Sequence, residues 1–583
     1  MRIVAIILLL AFAHPVFASG DDARPWGIAT GHPLATEAGV EILAAGGNAF
    51  DAAVAVSAVL AVVEPHGSGL GGGGFWLLHE AATGRDVMID GRERAPLAAT
   101  RTMYQDEHGD PVERASVDGP LAAGIPGEPA ALVHLAQRYG RLPLARSLEP
   151  SIRRAREGFR IDPHYRRLVR FRRDVIARSS AAAAVFLDDG TVPAEGWILR
   201  QPDLAATLEA LARHGRAGFY DGPVAARLVD GVRAAGGIWS RRDLREYRVV
   251  ERAPITGRYR GMDIVSAAPP SSGGIALVEA LNILAGFGPL PRDEIEYRHL
   301  VVEAMRRAYH DRARHLGDSD FVDVPIERLT DPDYAAGRRA SIRRDRATPS
   351  TVFPAVDSGA GGSDTTHFSI FDPEGNRVAA TLSINWPFGS GFMPPGTGVV
   401  LNDEMDDFAA RPGSPNLYRL VQGEANAIAP GKRMLSSMSP TFLQRHGRTA
   451  VLGTPGGSRI ISMVLLGALA FHAGHDAHVL VERPRYHHQY LPDVVQHEPG
   501  AFAPAVVDGL RALGHRVEAR DRRYGDMQVV IHDADSGTIA AASDPRGIGR
   551  VAAGCGLEGI GASRILKRSG SVQCAPGPVS SGE

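Results

Sequence analysis

A threonine that follows a loose, glycine-rich stretch is the residue of this chain best suited to chemistry. Residues 357–363 read Asp-Ser-Gly-Ala-Gly-Gly-Ser, and Asp364 then precedes Thr365, at the start of an alternating strand. Self-cleavage before Thr365 would give a new N-terminus whose hydroxyl nucleophile lies beside its own α-amine, a base that titrates at about 7.7–8.0. By itself, a Thr-Thr dipeptide is more typical of an ordinary strand start than of a nucleophile.

The residues after Thr365 predict a β-hairpin that places a second hydroxyl opposite it. Residues 366–371 and 377–385 are strand-like and flank a five-residue turn, 372–376. If the two residues beside the turn pair and no bulge follows, Thr365 faces Ser383. Opposed residues have Cβ atoms about 4.5–5.5 Å apart, so Ser383 could orient the Thr365 amine or hydroxyl, or form an ordinary polar pair at a sheet edge.

Acidic and hydroxyl residues follow the hairpin. Asn385 shares the face of Ser383, and residues 401–408 read Leu-Asn-Asp-Glu-Met-Asp-Asp-Phe. Carboxylates near a nucleophile suit a substrate with an α-ammonium group, although a solvated acidic cluster or Ca²⁺ site is an alternative. Ser436 and Ser437 could bind a substrate carboxylate or belong to a Ser/Pro turn.

Two glycine-rich loops have different interpretations. Residues 453–459, Gly-Thr-Pro-Gly-Gly-Ser-Arg, follow an apolar strand, and a helix is predicted to start at Ser458. The backbone N–H groups of this loop could bind an oxyanion or a phosphate. The G-x-G-x-x-G within residues 66–72 follows a helix and precedes a strand, the reverse of a dinucleotide site, and predicts a tight turn. Adjacent histidines at 487 and 488 point to opposite faces of a strand, which favours structural roles over metal binding.

Periodicity predicts the helices that must position these groups. Asn48 is the expected N-cap of an apolar, buried helix over residues 49–63. Further helices are predicted by apolar spacing at 33–45, 128–139, around 204–211, at 275–284 and at 299–316. An arginine-rich segment, 153–173, is interpreted as a solvated helix face.

Composition indicates an exported protein that acts on small molecules. Residues 1–18 have the arginine, the short apolar run and the small-residue cleavage site of a secretory signal peptide. A formal charge of −2 over 583 residues favours neither nucleic acid nor membrane surfaces as partners. The two cysteines, Cys555 and Cys574, could form a disulfide, although the tail after about residue 554 is predicted to be poorly ordered. Two thiols without clustered histidines do not favour a zinc site.

Ordered motifs from about residue 27 to 554 resemble the γ-glutamyltranspeptidase (glutathione hydrolase) family of N-terminal nucleophile hydrolases. The matching segments are 31–35, 46–49, 64–66, 71–75, 90–93, 269–274, 316–318, 365–369, 405–408, 435–440, 455–459 and 543–546. The resemblance implies an αββα sandwich of two antiparallel sheets between helical layers. It also implies a large subunit, 19–364, and a small subunit, 365–583, cut from one precursor.

The resemblance assigns roles residue by residue. It makes Thr365 the nucleophile and Ser383 a residue that orients it, in place of the family's threonine, and makes Gly456 and Gly457 the oxyanion donors. The residues it implies for the glutamyl α-carboxylate are Arg92, Ser436 and Ser437. Those implied for the α-amino group are Asn385, Glu404 and Asp407, and Tyr418 corresponds to the tyrosine of a lid, residues 412–423. No metal or cofactor is required by this chemistry.

The function expected from the sequence is transfer of the γ-glutamyl group of glutathione and related amides to water, an amino acid or a dipeptide. The expected location is periplasmic or extracellular, without membrane insertion. Two alternatives remain open: a cephalosporin (glutaryl) acylase of the same superfamily, and an inactive protein that binds γ-glutamyl ligands. The lid segment favours the first interpretation over the lidless acylases.

Overall fold

The structure is a computed structural model that describes residues 24–353, 365–556 and 567–574. The proposed signal peptide and the residues just before Thr365 lie outside the described residues. The α-helices of the described part are α1 Pro33–Ala44, α2 Ala49–Val63, α3 Glu128–Arg138, α4 Leu144–Glu157, α5 Pro163–Ile176, α6 Ser180–Phe186, α7 Pro202–His214, α8 Ala217–Tyr220, α9 Gly222–Ala234, α10 Arg241–Glu246, α11 Gly273–Ala285, α12 Glu294–His315, α13 Ile326–Thr330, α14 Pro332–Ala340, α15 Ile460–His472, α16 Ala477–Glu482 and α17 Pro504–Ala512. Short 3₁₀ helices cover Pro120–Ala122, Ser350–Val352, Glu404–Asp407, Glu424–Asn426 and Gly457–Arg459.

Two large antiparallel sheets form the centre of the protein. The strands are β1 Pro25–Thr30, β2 Gly73–Glu80, β3 Arg85–Gly91, β4 Phe159–Arg160, β5 Ile198–Leu199, β6 Val250–Arg252, β7 Ile255–Tyr259, β8 Met262–Ser266, β9 Thr366–Phe371, β10 Arg377–Ser383, β11 Thr441–Arg445, β12 Arg448–Gly453, β13 Tyr486–His487, β14 Val495–His497, β15 Val517–Ala519, β16 Gln528–Asp533, β17 Thr538–Ser543, β18 Arg550–Cys555 and β19 Ser569–Gln573. The first sheet has the order β18-β1-β9-β10-β2-β3-β6, and the second β19-β17-β16-β12-β11-β8-β7. Both sheets mix strands from before and after Thr365.

The sheets pack face to face between helical layers, as the sequence predicted. Strands β9 and β10 contact β12 and β16 of the other sheet. Helix α2 covers the outer face of β9 and β10, and α11 and α15 cover the second sheet on β7, β8, β11 and β12. Every residue of the central strands β9 and β10 is therefore buried, and polar groups between the sheets must be hydrogen-bonded to be tolerated.

Helix α2 follows its sequence prediction at both ends. Asn48 and Asp51 form a capping box, and every side chain of α2 is buried. Beyond the helix, Gly71 and Gly72 allow close packing, because a Cβ there would lie 1.8 Å from the Val400 carbonyl oxygen and 2.2 Å from that of Ser383. This packing, with a helix before the glycines and a strand after them, confirms the tight turn predicted for this loop.

The hairpin register is confirmed. Phe371 pairs with Arg377, and the ladder continues without a bulge to Thr366 opposite Leu382. The next pair along this register is Thr365 with Ser383. Because β9 and β10 are central strands of the first sheet, both residues are buried and held by neighbours on either side.

The C-terminal tail corrects the sequence prediction in part. Residues 567–574 are ordered, and β19 pairs with β17 at the edge of the second sheet. A disulfide joins Cys555 and Cys574, whose Cα atoms are 5.5 Å apart. The tail contains few apolar residues, and its composition therefore suggested disorder. The disulfide and the pairing with β17 hold the strand in place, so it needs little apolar sequence of its own.

The arginine-rich segment is not wholly a solvated face. Arg172 on α5 is buried, donates hydrogen bonds to the carbonyl oxygens of Pro387 and Gly389, and forms an ion pair with Asp118 at 3.0 Å. The other arginines of this helix are more exposed than Arg172. This one arginine therefore links α5 to the loop after β10.

Within the described ranges, no helix has the length and apolar character needed to cross a membrane.

Candidate active site

Thr365 lies between the sheets at the start of β9, with its hydroxyl directed at Ser383. The Thr365 Oγ1 and Ser383 Oγ atoms are 3.4 Å apart, within reach of a hydrogen bond. The Ser383 oxygen also accepts the Asn385 backbone N–H at 2.8 Å, and Ser383 lines the same cavity as Glu404. Ser383 is thus held by the turn after β10 and can orient the threonine hydroxyl.

Asn385 occupies a sharp turn directly after β10. Its φ of 75° is in the left-handed region, which asparagine tolerates better than most residues. The side-chain amide donates to the Asp403 carbonyl oxygen at 3.0 Å, and the Asn385 carbonyl oxygen accepts a hydrogen bond from the Tyr418 hydroxyl at 2.8 Å. Asn385 therefore joins the hairpin, the acidic segment and the predicted lid.

Arg92 is a buried cation between two buried carboxylates. Its guanidinium donates to Glu404 and to Asp407, both at 2.5 Å, and to the Met434 carbonyl oxygen at 3.2 Å. Both acids lie on one 3₁₀ turn, Glu404–Asp407, which presents them on the same side. The fork geometry of arginine matches two acceptors at once, which a lysine cannot do.

The cluster around Arg92 contains more carboxyl groups than arginines. Burial raises the pKa of Glu404 to about 7, with a further rise from Asp407 and an opposing effect of Arg92. Burial also raises the pKa of Asp407, and that of Glu93, which lies 3.5 Å from Arg92, rises well above its usual value. Two or three carboxyl groups thus share one arginine, and an additional cation at this position would restore the ionised state of the acids.

The serine pair is supported by an arginine that the sequence analysis did not identify. Ser437 accepts a hydrogen bond from Arg312 of α12 at 3.1 Å, while Arg312 also donates to Ser272 at 2.9 Å. One Arg312 nitrogen, Nη1, is buried without a hydrogen-bond partner among the described residues. Burial lowers the pKa of Arg312 to about 10, so the side chain remains charged at neutral pH. Arg312 lies within a regular helix, and the sequence around it does not indicate that its side chain contacts Ser437.

The glycine loop after β12 adopts a conformation that requires glycine. Gly456 and Gly457 have φ angles of 147° and 56°. A Cβ on Gly457 would lie 2.4 Å from Cε1 of Tyr418, so the ring of Tyr418 lies directly on the loop. Tyr309 of α12 donates to the Ser458 carbonyl oxygen and anchors the next turn. The helix begins slightly differently from the prediction, with a 3₁₀ turn at Gly457–Arg459 before α15.

These groups surround one small cavity. Its lining includes nearly all the residues predicted for the site, namely Thr365, Ser383, Arg92, Asn385, Glu404, Asp407, Tyr418, Ser436, Ser437 and Gly457. The cavity holds about 20 Å³, room for a water molecule or two and not for an amino acid. The Tyr418 hydroxyl and ring close it, because they bridge Asn385 and Gly457.

A second cleft of about 600 Å³ also reaches Thr365. Gly456, the other predicted oxyanion donor, lines this cleft, so the two glycines of the loop stand at the boundary of the two spaces. Glu64 and Asp526 lie within it and were not singled out from the sequence. Thr365 is therefore accessible from two spaces of different size and charge.

Among the described residues, one group of potential metal ligands consists of His299, Glu303 and His515. The two imidazoles are hydrogen-bonded to each other at 2.8 Å, and Glu303 forms ion pairs with Arg306 and Arg307. These ligand atoms are already used, and none of the three residues lines a cavity that contains Thr365. The group is best explained as a buried polar network.

Comparison with known proteins agrees with this geometry. The Gamma-glutamyltranspeptidase family profile matches residues 35–554. The glutathione hydrolase proenzyme of Pseudomonas sp. (strain A14) is 43% identical over 498 residues, 84% of this chain and 86% of that protein. The glutathione hydrolase proenzyme of Escherichia coli (strain K12) is 40% identical over 552 residues, 93% of each chain.

Solved structures show the same architecture over nearly the whole chain. The cephalosporin acylase from Bacillus halodurans superimposes with a TM-score of 0.79 at 28% identity, covering 94% of this chain and 99% of that protein. The fold is thus shared with an acylase, whereas the family profile and the more similar sequences are those of γ-glutamyl enzymes. The chain belongs to the γ-glutamyltranspeptidase family.

Proposed function

We propose that this protein is a self-processing enzyme that transfers the γ-glutamyl group of glutathione and related amides to water or to an amine. The observation that carries the proposal is the position of the Thr365 hydroxyl, 3.4 Å from Ser383 and at the wall of a cavity that contains Arg92, Glu404 and Asp407. A nucleophile beside one cation and two acids suits an acyl group that ends in an ammonium and a carboxylate.

The proposed reaction proceeds through an acyl-enzyme. Thr365 Oγ1 attacks the γ-carbonyl carbon, and the free α-amine of Thr365 takes the hydroxyl proton. The backbone N–H groups of Gly456 and Gly457 stabilise the negative charge on the carbonyl oxygen, an effect worth on the order of 10²–10³ in rate for one donor. The C–N bond then breaks, the leaving amine takes the proton, and water or a second amine attacks the ester.

Both charged groups on the α-carbon of the glutamyl group, the carboxylate and the ammonium, are assigned binding residues. The Arg92 Nη2 nitrogen that donates to Asp407 has a second N–H, and this group, with the hydroxyls of Ser436 and Ser437, is proposed to bind the α-carboxylate. Glu404, Asp407 and the Asn385 side chain are proposed to hold the α-ammonium. The raised pKa values of Glu404 and Asp407 support this assignment, because a nearby ammonium would favour the ionised form of both acids.

Processing and export complete the proposal. Cleavage between Asp364 and Thr365 gives a large subunit ending at residue 364 and a small subunit beginning with the nucleophile. The intermixed strands of the two sheets support non-covalent association of the subunits, since β9 and β10 lie between β1 and β2. We further propose that residues 1–18 direct export to the periplasm or medium and that amino acids or dipeptides serve as acceptors.

A second candidate function is glutaryl acylase activity, which the likeness to the Bacillus halodurans cephalosporin acylase favours. A glutaryl amide keeps the terminal carboxylate and lacks the α-amine, so the two functions differ in their use of Glu404 and Asp407. The test is hydrolysis of γ-glutamyl and glutaryl 4-nitroanilides by the processed protein. We expect kcat/KM to be at least about 100-fold higher for the γ-glutamyl substrate, since two charge-assisted contacts are lost. Equal rates would favour the acylase.

Ser383→Ala is expected to slow both processing and turnover. The substitution keeps the strand pairing of β10 and removes the hydroxyl that bridges Thr365 and the Asn385 backbone N–H. A loss on the order of 10-fold in each rate corresponds to about 1.4 kcal/mol for one orienting hydrogen bond. Time courses of precursor cleavage and of anilide hydrolysis measure the two rates.

Ser383→Thr is the matched control for this prediction. It restores a hydroxyl on a β-branched side chain that suits a strand, so both rates should remain within a few-fold of the wild type. Wild-type rates in Ser383→Ala would show that the hydroxyl does not orient the nucleophile.

Tyr418→Phe is expected to loosen the lid without changing the chemistry. The variant loses the hydrogen bond to the Asn385 carbonyl oxygen, worth roughly 1 kcal/mol, so amide exchange in residues 412–423 should accelerate by about five-fold. Hydrogen-exchange mass spectrometry measures this directly. Tyr259→Phe is the control, because the buried Tyr259 hydroxyl has no hydrogen-bond partner among the described residues. Unchanged exchange in Tyr418→Phe would contradict the closing role.

A further inference from the structure

A cleft of about 520 Å³ lies apart from the active site, and none of its described lining residues lines either space that reaches Thr365. Its walls are the turn after β7, the loop before α12 with the start of that helix, the end of α15, and Arg483 after α16. Helix α15 begins beside the glycine loop of the active site, and its 13 residues place the cleft about 20 Å away, at the other end of the helix. The volume is typical of small-molecule sites, which range over about 300–1,000 Å³.

Positive charge dominates this cleft. The arginines that line it are Arg260, Arg292, Arg298 and Arg483, and Glu294 is the one acid among the described lining residues. Glu294 is paired with Arg298 at 2.8 Å. Arg292 is exposed and Arg483 is half-buried, and neither forms an ion pair or a side-chain hydrogen bond within the described part of the chain. Four arginines and one acid give these side chains a formal charge of +3, and two of the guanidinium groups are available to a ligand.

The wall of the cleft also contains a buried donor without a partner. Tyr259, the last residue of β7, is fully buried, and its hydroxyl has no hydrogen-bond partner among the described residues. Burial raises the pKa of Tyr259, and Arg260 and Tyr297 have smaller, opposite effects on it. The hydroxyl therefore lies near two other residues of the same wall. Because an unpaired buried donor is costly, a ligand atom that accepts from Tyr259 would bind favourably.

The rest of the wall is apolar and aromatic. Leu290, Pro291 and Leu469 line the cleft together with Tyr259 and Tyr297. Burial raises the pKa of Tyr297, as it does that of Tyr259, so both phenols are protonated at neutral pH and can donate a hydrogen bond. Guanidinium and phenol groups suit the anionic end of a ligand, whereas the apolar side chains suit its organic part.

We infer that this cleft binds a small organic phosphate, with the phosphate group at Arg292, Arg483 and the Tyr259 hydroxyl. Its organic part then packs against Leu290 and Leu469. A phosphate monoester carries a charge of about −1.5 to −2 at neutral pH and offers three acceptor oxygens, whereas a carboxylate carries a single charge. The formal charge of +3 and the separate donors therefore favour the phosphate. The inference goes beyond γ-glutamyl transfer and does not depend on it, because the cleft shares no lining residue with the spaces at Thr365.

The test is calorimetric titration of the purified protein with phenyl phosphate and with benzoate. The wild type is compared with Arg292→Gln/Arg483→Gln, which removes the two available guanidinium groups, and with Tyr259→Phe, which removes the unpaired hydroxyl. The control Arg520→Gln/Arg522→Gln removes the same charge from exposed arginines of the cleft at Thr365. Each substitution at the proposed site removes a group without a hydrogen-bond partner in the described structure, so the thermal unfolding midpoints without ligand should agree within a few degrees.

We expect the wild type and the control to bind phenyl phosphate with a Kd below about 1 mM and benzoate about 10-fold more weakly. The Kd for phenyl phosphate should rise on the order of 10-fold or more in Arg292→Gln/Arg483→Gln and about five-fold in Tyr259→Phe. Hydrogen exchange in the wild type should slow in residues 288–298 and 469–483 when phenyl phosphate is bound.

Absence of binding to the wild type would overturn the site. A Kd that rises in the control and is unchanged in Arg292→Gln/Arg483→Gln would do the same, since the ligand would then occupy the cleft at Thr365. Equal affinity for benzoate would overturn the choice of a phosphate as the ligand.

Discussion

Thr365→Ala is expected to leave the protein as an uncleaved chain without γ-glutamyl activity. The variant loses both proposed roles of the residue, since the same hydroxyl would attack the preceding peptide bond during processing and the γ-carbonyl carbon during turnover. No small subunit running from Thr365 to Glu583 should form, and kcat should fall by on the order of 10⁴-fold or more. Intact-mass spectrometry and an anilide assay measure the two effects.

The matched control is Thr365→Ser, which keeps the hydroxyl and the prospective α-amine and removes only a methyl group. It should process more slowly and retain measurable turnover, because the nucleophile is present but its rotamer is less restricted. Cleavage before residue 365 that continues in Thr365→Ala would mean that another group or a separate protease performs the cut.

Arg92→Lys is expected to weaken substrate binding severely while leaving processing intact. Lysine keeps the positive charge between Glu404 and Asp407 and loses the fork that donates to both, as well as the Nη2 N–H group proposed for the α-carboxylate. We expect kcat/KM for the γ-glutamyl anilide to fall on the order of 100-fold, mainly through KM, equivalent to about 2.7 kcal/mol. Steady-state kinetics on the purified, processed variant measure this.

Arg94→Lys is the control for this substitution, two residues along the chain. Arg94 donates to the Gly431 and Glu246 carbonyl oxygens and does not line the cavity. Its kinetics should remain close to those of the wild type. An Arg92→Lys enzyme with an unchanged KM would show that Arg92 holds the two acids and does not contact the substrate.

Local signals in the sequence predict several elements at single-residue accuracy. Helix α2 begins after Asn48 because its capping box satisfies the first free N–H groups, and it ends where Pro65 prevents continuation. The hairpin register follows from a short turn and the period of two, so Ser383 could be placed opposite Thr365 by counting alone. Both features depend on residues close together in the chain.

Features that depend on distant contacts could not be derived in this way. Arg92 meets Glu404 and Asp407 across more than 300 residues, and only resemblance to a family linked them in the sequence. Arg312 and Arg172 are buried arginines within regular helices, and helix periodicity does not reveal a distant acceptor. The ordered strand β19 depends likewise on the pairing of Cys574 with Cys555 and on β17.

Identification of the acylated residue shows whether Thr365 is the nucleophile. The processed enzyme is mixed with γ-glutamyl 4-nitroanilide, quenched in acid within one turnover and digested, and the N-terminal peptide of the small subunit is sequenced by mass spectrometry. We expect a single γ-glutamyl group on the Thr365 hydroxyl, absent when the substrate is omitted. A γ-glutamyl group on another residue, or product release with no adduct under conditions that trap esters, would contradict it.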